Sequence, residues 1–221
     1  MPVLEPTQEP TRVFALRHGR TAWNRTLRIQ GQLDVPLDDT GRWQAERLAE
    51  ALADEGIEAI YSSDLERALA TARALAARCA APLVAERALR ERAFGTFEGV
   101  TYAEIDARWP EEAARWRRRE PDFGPGGGET LTEFFARCLG AASALAARHP
   151  GQTIALVAHG GVLDCLYRAA TGLGLQAPRS WQLGNAAINR LLWHGEGFVL
   201  VGWNDCAHLD SPPEAAVVEA D

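Results

Sequence analysis

Two apolar runs in this sequence each stop abruptly at a histidine that is followed by glycine. The run VFALRHG ends with Arg17 and His18, and the run IALVAHGG ends with His159. A short continuous apolar run bounded by glycine is typical of a strand buried in a parallel sheet. Because the carboxyl ends of parallel strands lie at one edge of a sheet, where ligands bind, we expect His18 and His159 to meet there. We also expect the His18 ring to face solvent.

Strand-like and helix-like patterns alternate along the rest of the chain. The predicted strands lie in RVFALRH, IEAIYSS, APLVAE, QTIALVAHGG and AAINRLLWHGEGFVLVGWN, of which the last favours two strands joined by a turn with glycine. The predicted helices lie in TGRWQAERLAEALADEG, SDLERALATARALAARC and TLTEFFARCLGAASALAARH, around 102–109 and 111–117, and from about Val162 to Thr171. This order predicts an α/β fold, a three-layer sandwich with a mostly parallel central sheet flanked by helices.

Two of the predicted helices begin with the spacing of a capping box, in which a serine or threonine precedes a glutamate by three positions. Ser63 and Glu66 have this spacing, and so do Thr130 and Glu133. We therefore expect Ser63 and Thr130 to be the N-caps of the helices that follow them.

The chain shows no internal repeat and no linker, so we predict a single domain over residues 1–221 with its core at about 12–205. Residues 92–128, called the cap segment below, are expected to be irregular with short helices. Residues 210–221 are rich in proline and acidic side chains, which predicts a disordered tail. The first residues lack the apolar region of a secretory signal, and no apolar run is long enough to span a bilayer.

The overall charge excludes some classes of partner. The formal net charge is −7 and the pI is about 5.3, so the surface as a whole does not suit nucleic acid. A site for an anion must then be a local concentration of arginine. The four cysteines are scattered without a C-x-x-C pair, which favours reduced thiols in a cytoplasmic protein without a membrane partner.

Arginine and histidine side chains are predicted to converge at the carboxyl edge of the sheet. Arg17 directly precedes His18, and Arg67 falls in the first turn of the helix after IEAIYSS. Gly160 opens the helix that follows His159, and the N–H groups at a helix N-terminus favour an anion. Since guanidinium groups match phosphate oxygens in geometry, the negative partner expected here is a phosphoryl group.

Two other kinds of site fit these residues less well. A metal site at His18 and His159 is disfavoured, because Arg17 would repel a divalent cation and no H-E-x-x-H motif is present. A serine hydrolase is disfavoured, because the chain has no G-x-S-x-G motif.

Six stretches of the chain match the motifs of one known family. They are LRHGRTAWN, GQLDVPLDDTGRWQAERLAEAL, YSSDLERALATA, LRERAFGTFEG, GGGET and VAHGG, all within residues 12–205. One R-H-G alone would be a weak signal, whereas this ordered set on the expected elements is specific. On these motifs the chain resembles the histidine phosphatase superfamily, also called the phosphoglycerate mutase-like family.

The resemblance implies a role for each matching residue. It implies that His18 is the nucleophile that becomes phosphohistidine, that Glu91 is the general acid and then the base, and that no metal or cofactor is needed. By analogy with the mutases, it implies that Arg92 contacts the substrate. The groups expected to hold the phosphoryl oxygens are Arg17, Asn24, Arg67, His159 and the helix start at Gly160.

The sequence departs from the family pattern at two positions. Arg20 follows the R-H-G motif where an acidic residue or glutamine is common, which adds a cation near the predicted mouth of the site. Phe97 stands where tryptophan is usual.

The stretch RWRRRE, which contains Arg117–Arg119, resembles the mutase stretch that binds a carboxylate.

The same region bears on the choice between a phosphatase and a mutase. True mutases carry a long insertion before the Gly-Glu-Ser-like turn, whereas Arg118 here reaches GGGET within a dozen residues. A shorter cap admits water, so we expect a metal-independent phosphomonoester hydrolase that acts through phosphohistidine on a small phosphorylated metabolite. The alternatives are a cofactor-dependent phosphoglycerate mutase and a phosphate-binding protein without catalysis. An exposed edge strand near 186–203 would allow a homodimer.

Overall fold

The structure, a computed structural model, describes residues 9–210, so the predicted tail lies outside the described residues apart from its first position. The strands are β1 (Thr11–Arg17), β2 (Ala59–Ser62), β3 (Leu83–Ala85), β4 (Thr153–Ala158), β5 (Ile188–Trp193) and β6 (Phe198–Asp205). The helices are α1 (Ala22–Arg25), α2 (Asp39–Ala51), α3 (Glu66–Cys79), α4 (Tyr102–Arg108), α5 (Pro110–Arg117), α6 (Leu131–Ala146) and α7 (Gly160–Thr171). Within the described range, no helix combines the length and the apolar character needed to cross a membrane.

The six strands form one sheet in the order β3-β2-β4-β1-β5-β6. The first four strands of this order are parallel, whereas β5 is antiparallel to β1 and β6 is antiparallel to β5. The predicted α/β fold with a mostly parallel sheet flanked by helices is confirmed. β6 is an edge strand on which Val199 and Val201 are exposed, and a homodimer through this edge stays a prediction.

The pairing of β1 with β4 decides where the two histidines lie. Arg17 at the end of β1 is in register with Ala158 at the end of β4, and the N–H of His18 donates to the Ala158 carbonyl at 3.0 Å. Both strands therefore end at the same level, and the two histidines leave the sheet side by side. The ring centroids of His18 and His159 are 5.2 Å apart, as the two apolar runs predict.

The central strands face two separate apolar cores, because successive side chains of a strand point to opposite faces of the sheet. Val13 and Ala15 of β1 belong to the core beneath α6 and α7, whereas Phe14 and Leu16 belong to the core beneath α2 and α3. All four side chains are buried. Burial on both faces explains why β1 appears in the sequence as a continuous apolar run and not as an alternating one.

The cap segment has a small apolar core of its own. Phe97, where the family usually has tryptophan, is fully buried in this core together with Ile105 of α4 and Ala113 of α5. The centroid of its ring lies 5.5 Å from that of Trp109 and 5.8 Å from that of Trp116. The two tryptophans of the cap therefore pack around the smaller ring.

The two predicted capping boxes have different outcomes. Thr130 caps α6 as expected, since its side chain accepts the Glu133 N–H and the Glu133 side chain bonds back to Thr130. Ser63 does not cap α3, which begins at Glu66 without a side-chain cap. The Ser63 hydroxyl lies 2.8 Å from Nε2 of His159 instead, because the end of β2 brings it to the same sheet edge.

Candidate active site

A cavity of about 1090 Å³ lies at the carboxyl edge of the sheet, bounded by the end of β1, the start of α7 and the cap segment. Of the eight residues that the sequence predicts for the site, His159 is fully enclosed against His18 and does not line the cavity. The lining includes the other seven, which are Arg17, His18, Asn24, Arg67, Glu91, Arg92 and Gly160. One cavity therefore unites side chains that are far apart in the chain.

His18 is held in one neutral form by its surroundings. The residue is buried, with 3% exposed, which contradicts the expectation that its ring faces solvent. Burial, and then the charges of Arg67 and Arg17, hold the pKa of the imidazole well below its usual range. Its Nδ1 lies 2.7 Å from the carbonyl oxygen of Gly19, which can only accept, so Nδ1 carries the proton. The lone pair of Nε2 is then available to attack an electrophile.

His159 is also neutral but has the opposite tautomer. Its Nδ1 accepts a hydrogen bond from Nε of Arg67 at 3.2 Å, so the proton is on Nε2, which donates to the Ser63 hydroxyl at 2.8 Å. Burial, and then the charges of Arg67 and His18, hold the pKa of His159 well below its usual range. Ser63 is thus a partner of His159 that sequence reasoning missed. The signal for it was its position at the end of the predicted strand IEAIYSS.

Arg67 is fixed in the wall of the cavity by main-chain carbonyl groups. Its Nη1 donates to the Leu33 oxygen at 2.8 Å and its Nη2 to the Gly31 oxygen at 2.7 Å. Burial lowers the pKa of the guanidinium to about 10, which leaves it cationic at neutral pH. Its partners among the described residues are carbonyl groups and an imidazole, none of them a carboxylate. A buried cation whose hydrogen-bond partners are all neutral favours the binding of an anion beside it.

Arg17 and the start of α7 form another part of the cavity wall. Nε of Arg17 is buried and has no hydrogen-bond partner among residues 9–210, while its Nη1 donates to the carbonyl of Leu183. A Cβ at Gly160 would lie 3.5 Å from Nε of Arg17, so the helix start adjoins the guanidinium. α7 begins at Gly160, two positions before the start predicted at about Val162, and Gly160 lines the cavity. Together they suit an anion with several oxygens.

Glu91 reaches the start of α7 with both oxygens of its side chain hydrogen-bonded. Oε1 accepts the N–H of Arg92 at 2.8 Å, and Oε2 accepts the N–H of Gly161 at 2.9 Å. A Cβ at Gly161 would overlap Oε1 of Glu91, so glycine is required for this approach. The carboxyl group lines the same cavity as His18, where it can exchange a proton with a bound ligand.

An ion pair between Glu129 and Arg137 holds the chain segment that carries Glu91. The pair is bidentate, with two N–O distances of 2.7 Å. Nη1 of Arg137 also donates to the carbonyl oxygens of Ala88 at 2.8 Å and Arg90 at 2.9 Å. The backbone before the carboxylate is therefore tied to α6.

Asn24 and Arg92 line the cavity but use much of their hydrogen-bonding capacity within the protein. Oδ1 of Asn24 accepts the N–H of Thr21 at 3.0 Å, as part of the capping box of α1, a short helix that the sequence did not indicate. Arg92 donates to the carbonyl oxygens of Glu129 at 2.9 Å and Phe123 at 2.6 Å, and its burial lowers the pKa to about 10. Contact of either side chain with a substrate stays a prediction.

The additional arginines noted in the sequence are ion-paired. Arg20 does not line the cavity. Its Nε lies 2.8 Å from the carboxylate of Asp38, the N-cap of α2. Arg117 and Arg119 do line it, the former paired with Asp106 and the latter with Asp164 at 2.8 Å. These cations are therefore already partly neutralised by protein carboxylates.

The outer wall of the cavity contains residues that sequence reasoning did not single out. In the cap segment the rings of Tyr102 and Trp116 stack with their centroids 5.4 Å apart. The segment 178–184, between α7 and β5, contributes Arg179 and Trp181. Burial lowers the pKa of Arg17, and the charge of Arg179 adds to this effect. The segment lacks apolar periodicity, so an arginine and a tryptophan in a short loop were the only signal.

Comparison with known proteins gives matches along most of the chain. A family model described as the histidine phosphatase superfamily (branch 1) matches residues 13–206, which include every residue predicted for the site. Two similar proteins come from Arabidopsis thaliana. Phosphoglycerate mutase-like protein 4 is 39% identical over 203 residues, covering 90% of this chain and 86% of the relative. A metal-independent phosphoserine phosphatase is 36% identical over 206 residues, covering 92% of this chain and 85% of the relative.

A solved structure is similar in both sequence and fold. It is a mycobacterial glucosyl-3-phosphoglycerate phosphatase in complex with VO3, and it is 35% identical to this chain with a TM-score of 0.80. The match covers 88% of this chain and 99% of the other. Length, sheet and helices are thus shared almost completely.

Proposed function

Since the chain belongs to the histidine phosphatase superfamily (branch 1), we propose that it is a metal-independent phosphomonoesterase that forms a phosphohistidine at His18. The observation that carries the proposal is the state of this residue. His18 is a neutral imidazole with an available Nε2 lone pair, next to the cations Arg17 and Arg67. A neutral nucleophile beside fixed positive charge is what attack on a phosphate dianion requires.

In the first step, Nε2 of His18 attacks the phosphorus atom in line with the ester oxygen. The bond from phosphorus to this oxygen breaks as the bond to nitrogen forms, and the leaving alkoxide takes a proton from the carboxyl group of Glu91. Arg17, Arg67 and the start of α7 balance the charge on the other three phosphoryl oxygens. The carbonyl of Gly19 keeps its hydrogen bond to Nδ1 and so stabilises the positive ring of the intermediate.

In the second step, Glu91 is a carboxylate and accepts a proton from the water molecule that attacks the phosphorus atom. The bond from phosphorus to Nε2 breaks, inorganic phosphate leaves, and His18 returns to its neutral form. One carboxyl group thus gives and takes the proton in turn. Its hydrogen bonds from the N–H groups of Arg92 and Gly161 keep it in place for both steps.

Hydrolysis is preferred to the mutase reaction because the arginines of the cap segment already have partners. A phosphoglycerate mutase must hold the carboxylate of its substrate, and the stretch RWRRRE is the candidate for that role. The pairs are Arg117 with Asp106, Arg118 with Glu120, and Arg119 with Asp164. A substrate carboxylate would have to displace a protein carboxylate before it could bind to these arginines.

We assign the substrate to the small phosphorylated metabolites. The cavity of about 1090 Å³ has room for a leaving group the size of a sugar or an amino acid beside the phosphoryl group. The names of two similar proteins, a phosphoserine phosphatase and a glucosyl-3-phosphoglycerate phosphatase, support a polar leaving group.

A panel of phosphate monoesters, assayed with and without EDTA and followed by ³¹P NMR, tests the proposal. We expect at least one alkyl ester to be hydrolysed at the same rate with the chelator. We also expect an acid-labile, base-stable phosphoenzyme that is absent from His18→Ala. Isomerisation of a phosphoglycerate without phosphate release would support the mutase. Near-normal rates in His18→Ala would contradict the covalent mechanism, and no turnover of any ester would support a binding protein.

A further inference from the structure

The cavity contains a buried carboxylate that the proposed reaction does not use. Asp164 lies on α7 and lines the cavity, with 6% of the residue exposed. Its Oδ2 accepts hydrogen bonds from Arg119 at 2.8 Å and from Arg168 at 2.9 Å. Its Oδ1 is buried and has no hydrogen-bond partner among residues 9–210. An unsatisfied buried oxygen of this kind costs free energy, and a donor on a bound ligand would remove that cost.

A second unsatisfied group belongs to the same part of the wall. Trp181 lines the cavity, and its indole Nε1 is buried without a partner in the described part of the chain. Arg168 joins the two residues, because its guanidinium lies 4.9 Å from the centre of the indole ring while its Nε donates to Asp164. The indole ring also stacks on Tyr167 at a centroid distance of 4.0 Å. The unsatisfied acceptor and the unsatisfied donor therefore belong to two residues that contact the same guanidinium group.

Asp164 lies farther along α7 than the helix start that is proposed to bind the phosphoryl group. Gly160 adjoins Arg17 at the start of α7, where the phosphoryl group is proposed to bind. Asp164 follows Gly160 by four positions, which is about one turn and about 6 Å farther along the same face of the helix. A bound ester whose phosphoryl group contacts the helix start extends its alcohol portion into this part of the cavity.

A hydroxyl group has both the donor and the acceptor that these two atoms lack. It donates through its hydrogen to Oδ1 of Asp164 and accepts through its oxygen from Nε1 of Trp181. An ammonium group could donate to Asp164, but it has no lone pair for the indole N–H. A carboxylate would accept from the indole but would lie against the charge of Asp164.

We propose that Asp164 and Trp181 form a hydroxyl-binding subsite for the leaving group, so that the preferred substrates are phosphate monoesters of polyhydroxylated alcohols. This proposal rests on the proposed phosphatase function. The two residues select the alcohol and take no part in breaking the bond to phosphorus. Loss of a hydroxyl from the substrate leaves both of them unsatisfied, which is how such a site rejects the wrong ester.

Three esters with the same three-carbon chain test the subsite on the full-length protein. They are glycerol 3-phosphate, 2,3-diaminopropyl phosphate and propyl phosphate, which carry hydroxyl groups, ammonium groups and neither. We expect kcat/KM for the glycerol ester to exceed that for propyl phosphate by roughly 10- to 100-fold, the usual effect of leaving buried polar groups unpaired. We also expect it to exceed that of the diamino ester.

Two variants assign this preference to the two residues. Trp181→Phe keeps the ring that stacks on Tyr167 and Arg168 but removes the N–H donor, and it should lower the ratio of glycerol ester to propyl ester by roughly 5- to 10-fold. Asp164→Asn keeps the shape but loses the charged acceptor, and it should lower the ratio further. Thermal unfolding shows whether each variant is folded. If Asp164→Asn does not fold, the result for Trp181→Phe decides whether the subsite exists.

Arg119→Gln is the matched control, because it removes a partner of Oδ2 and leaves Oδ1 and the indole unchanged. If Asp164 only anchors the cap segment through Arg119, this control lowers the hydroxyl preference as much as Asp164→Asn does, and the proposal is wrong. We expect Arg119→Gln to change kcat/KM for the glycerol ester and for propyl phosphate by the same factor, so that the ratio of the two values stays the same. The subsite is wrong, and the phosphatase function stands, if p-nitrophenyl or propyl phosphate is hydrolysed but the glycerol ester is not preferred. A preference for the diamino ester has the same meaning. No turnover of any ester overturns the phosphatase function itself.

Discussion

Gly161 donates its backbone N–H to Oε2 of Glu91 at 2.9 Å, and the position that its Cβ would take is occupied by the other oxygen of the same carboxyl group. The first turn of α7 therefore serves two groups. Gly160 adjoins Arg17 at the proposed phosphoryl site, and the next residue holds the proposed acid. A methyl group added at Gly161 should therefore displace Glu91 and leave the contact between Gly160 and Arg17 in place.

We expect Gly161→Ala to lower kcat for alkyl phosphate esters by about 100-fold, the effect of displacing a catalytic group by about 1 Å. The added methyl group pushes the carboxyl group of Glu91 away from the helix start. Gly140→Ala on α6 is the control, because nothing lies within 4 Å of its added Cβ. It should keep full activity and gain about 1 kcal/mol from helix propensity. Steady-state kinetics and thermal unfolding of both variants measure this, and an unchanged kcat in Gly161→Ala would contradict the position assigned to Glu91.

Glu91→Gln should separate good from poor leaving groups. An alkoxide needs its proton in the transition state, so we expect a loss of roughly 10²–10⁴ for alkyl esters. A nitrophenolate hardly needs a proton, so formation of the phosphoenzyme from p-nitrophenyl phosphate should fall much less. Rapid mixing must follow this first step directly, because the same residue is proposed to activate water in the second. Equal losses on both esters in the burst would show that another group delivers the proton.

Lysine in place of Arg17 or Arg67 keeps the charge but loses the planar fork. Arg67 uses Nε and both Nη atoms to reach His159 and two carbonyl groups, and one ammonium group cannot span these positions. We expect Arg67→Lys and Arg17→Lys to lower kcat strongly, since contacts to the transition state are lost. Arg73→Lys, on the exposed side of the same helix, is the control and should behave like the wild type. A change in KM alone would reduce both arginines to docking residues.

The free energy of unfolding should fall as the pH decreases below about 6.5, the usual pKa of histidine in an unfolded chain. Burial holds the pKa values of His18 and His159 well below that range in the folded protein. Below about pH 6.5 the unfolded state binds protons that the folded state does not, and each such histidine lowers stability by about 1.4 kcal/mol per pH unit until its folded pKa is reached. Above this window neither contributes.

Urea unfolding of the wild type and of His18→Asn, between about pH 7.5 and about pH 5, measures the contribution of one histidine. The variant should show a shallower decrease, by about 1.4 kcal/mol per pH unit at the acidic end. Carboxylates that titrate in both proteins cancel in the difference. Parallel curves would show that His18 titrates normally in the folded state.

The positions of His18 and His159 could be predicted because β1 and β4 are buried on both faces. Such strands appear in the sequence as continuous apolar runs, and the glycines after them mark where they end. The burial of His18 could not be predicted in the same way. Its carbonyl oxygen is bonded by Asn185 and by the N–H of Ala186, which belong to a segment far along the chain.

Ser63 shows why a local pattern can give the wrong prediction. Its spacing to Glu66 is that of a capping box, and nothing nearby in the sequence competes with that interpretation. Its hydroxyl accepts the N–H of Leu65 at 3.3 Å, and its partner at the sheet edge is His159, 96 positions away. The segment 178–184 poses the opposite problem, because Trp181 is positioned by stacking on Tyr167 and not by any periodic pattern.

The pairing of β1 with β4 also determines when, during synthesis on the ribosome, the protein gains its site. His18 is translated early, but the neighbour that completes the edge is residue 159 of 221. Chains are made from the N-terminus, and the long loop between the strands closes only once β4 exists. A nascent chain shorter than this carries His18 without the neighbouring His159 and the start of α7. The proposed phosphatase activity therefore requires a chain that has been made past β4, and we expect truncated products that lack β4 to be inert toward phosphate esters.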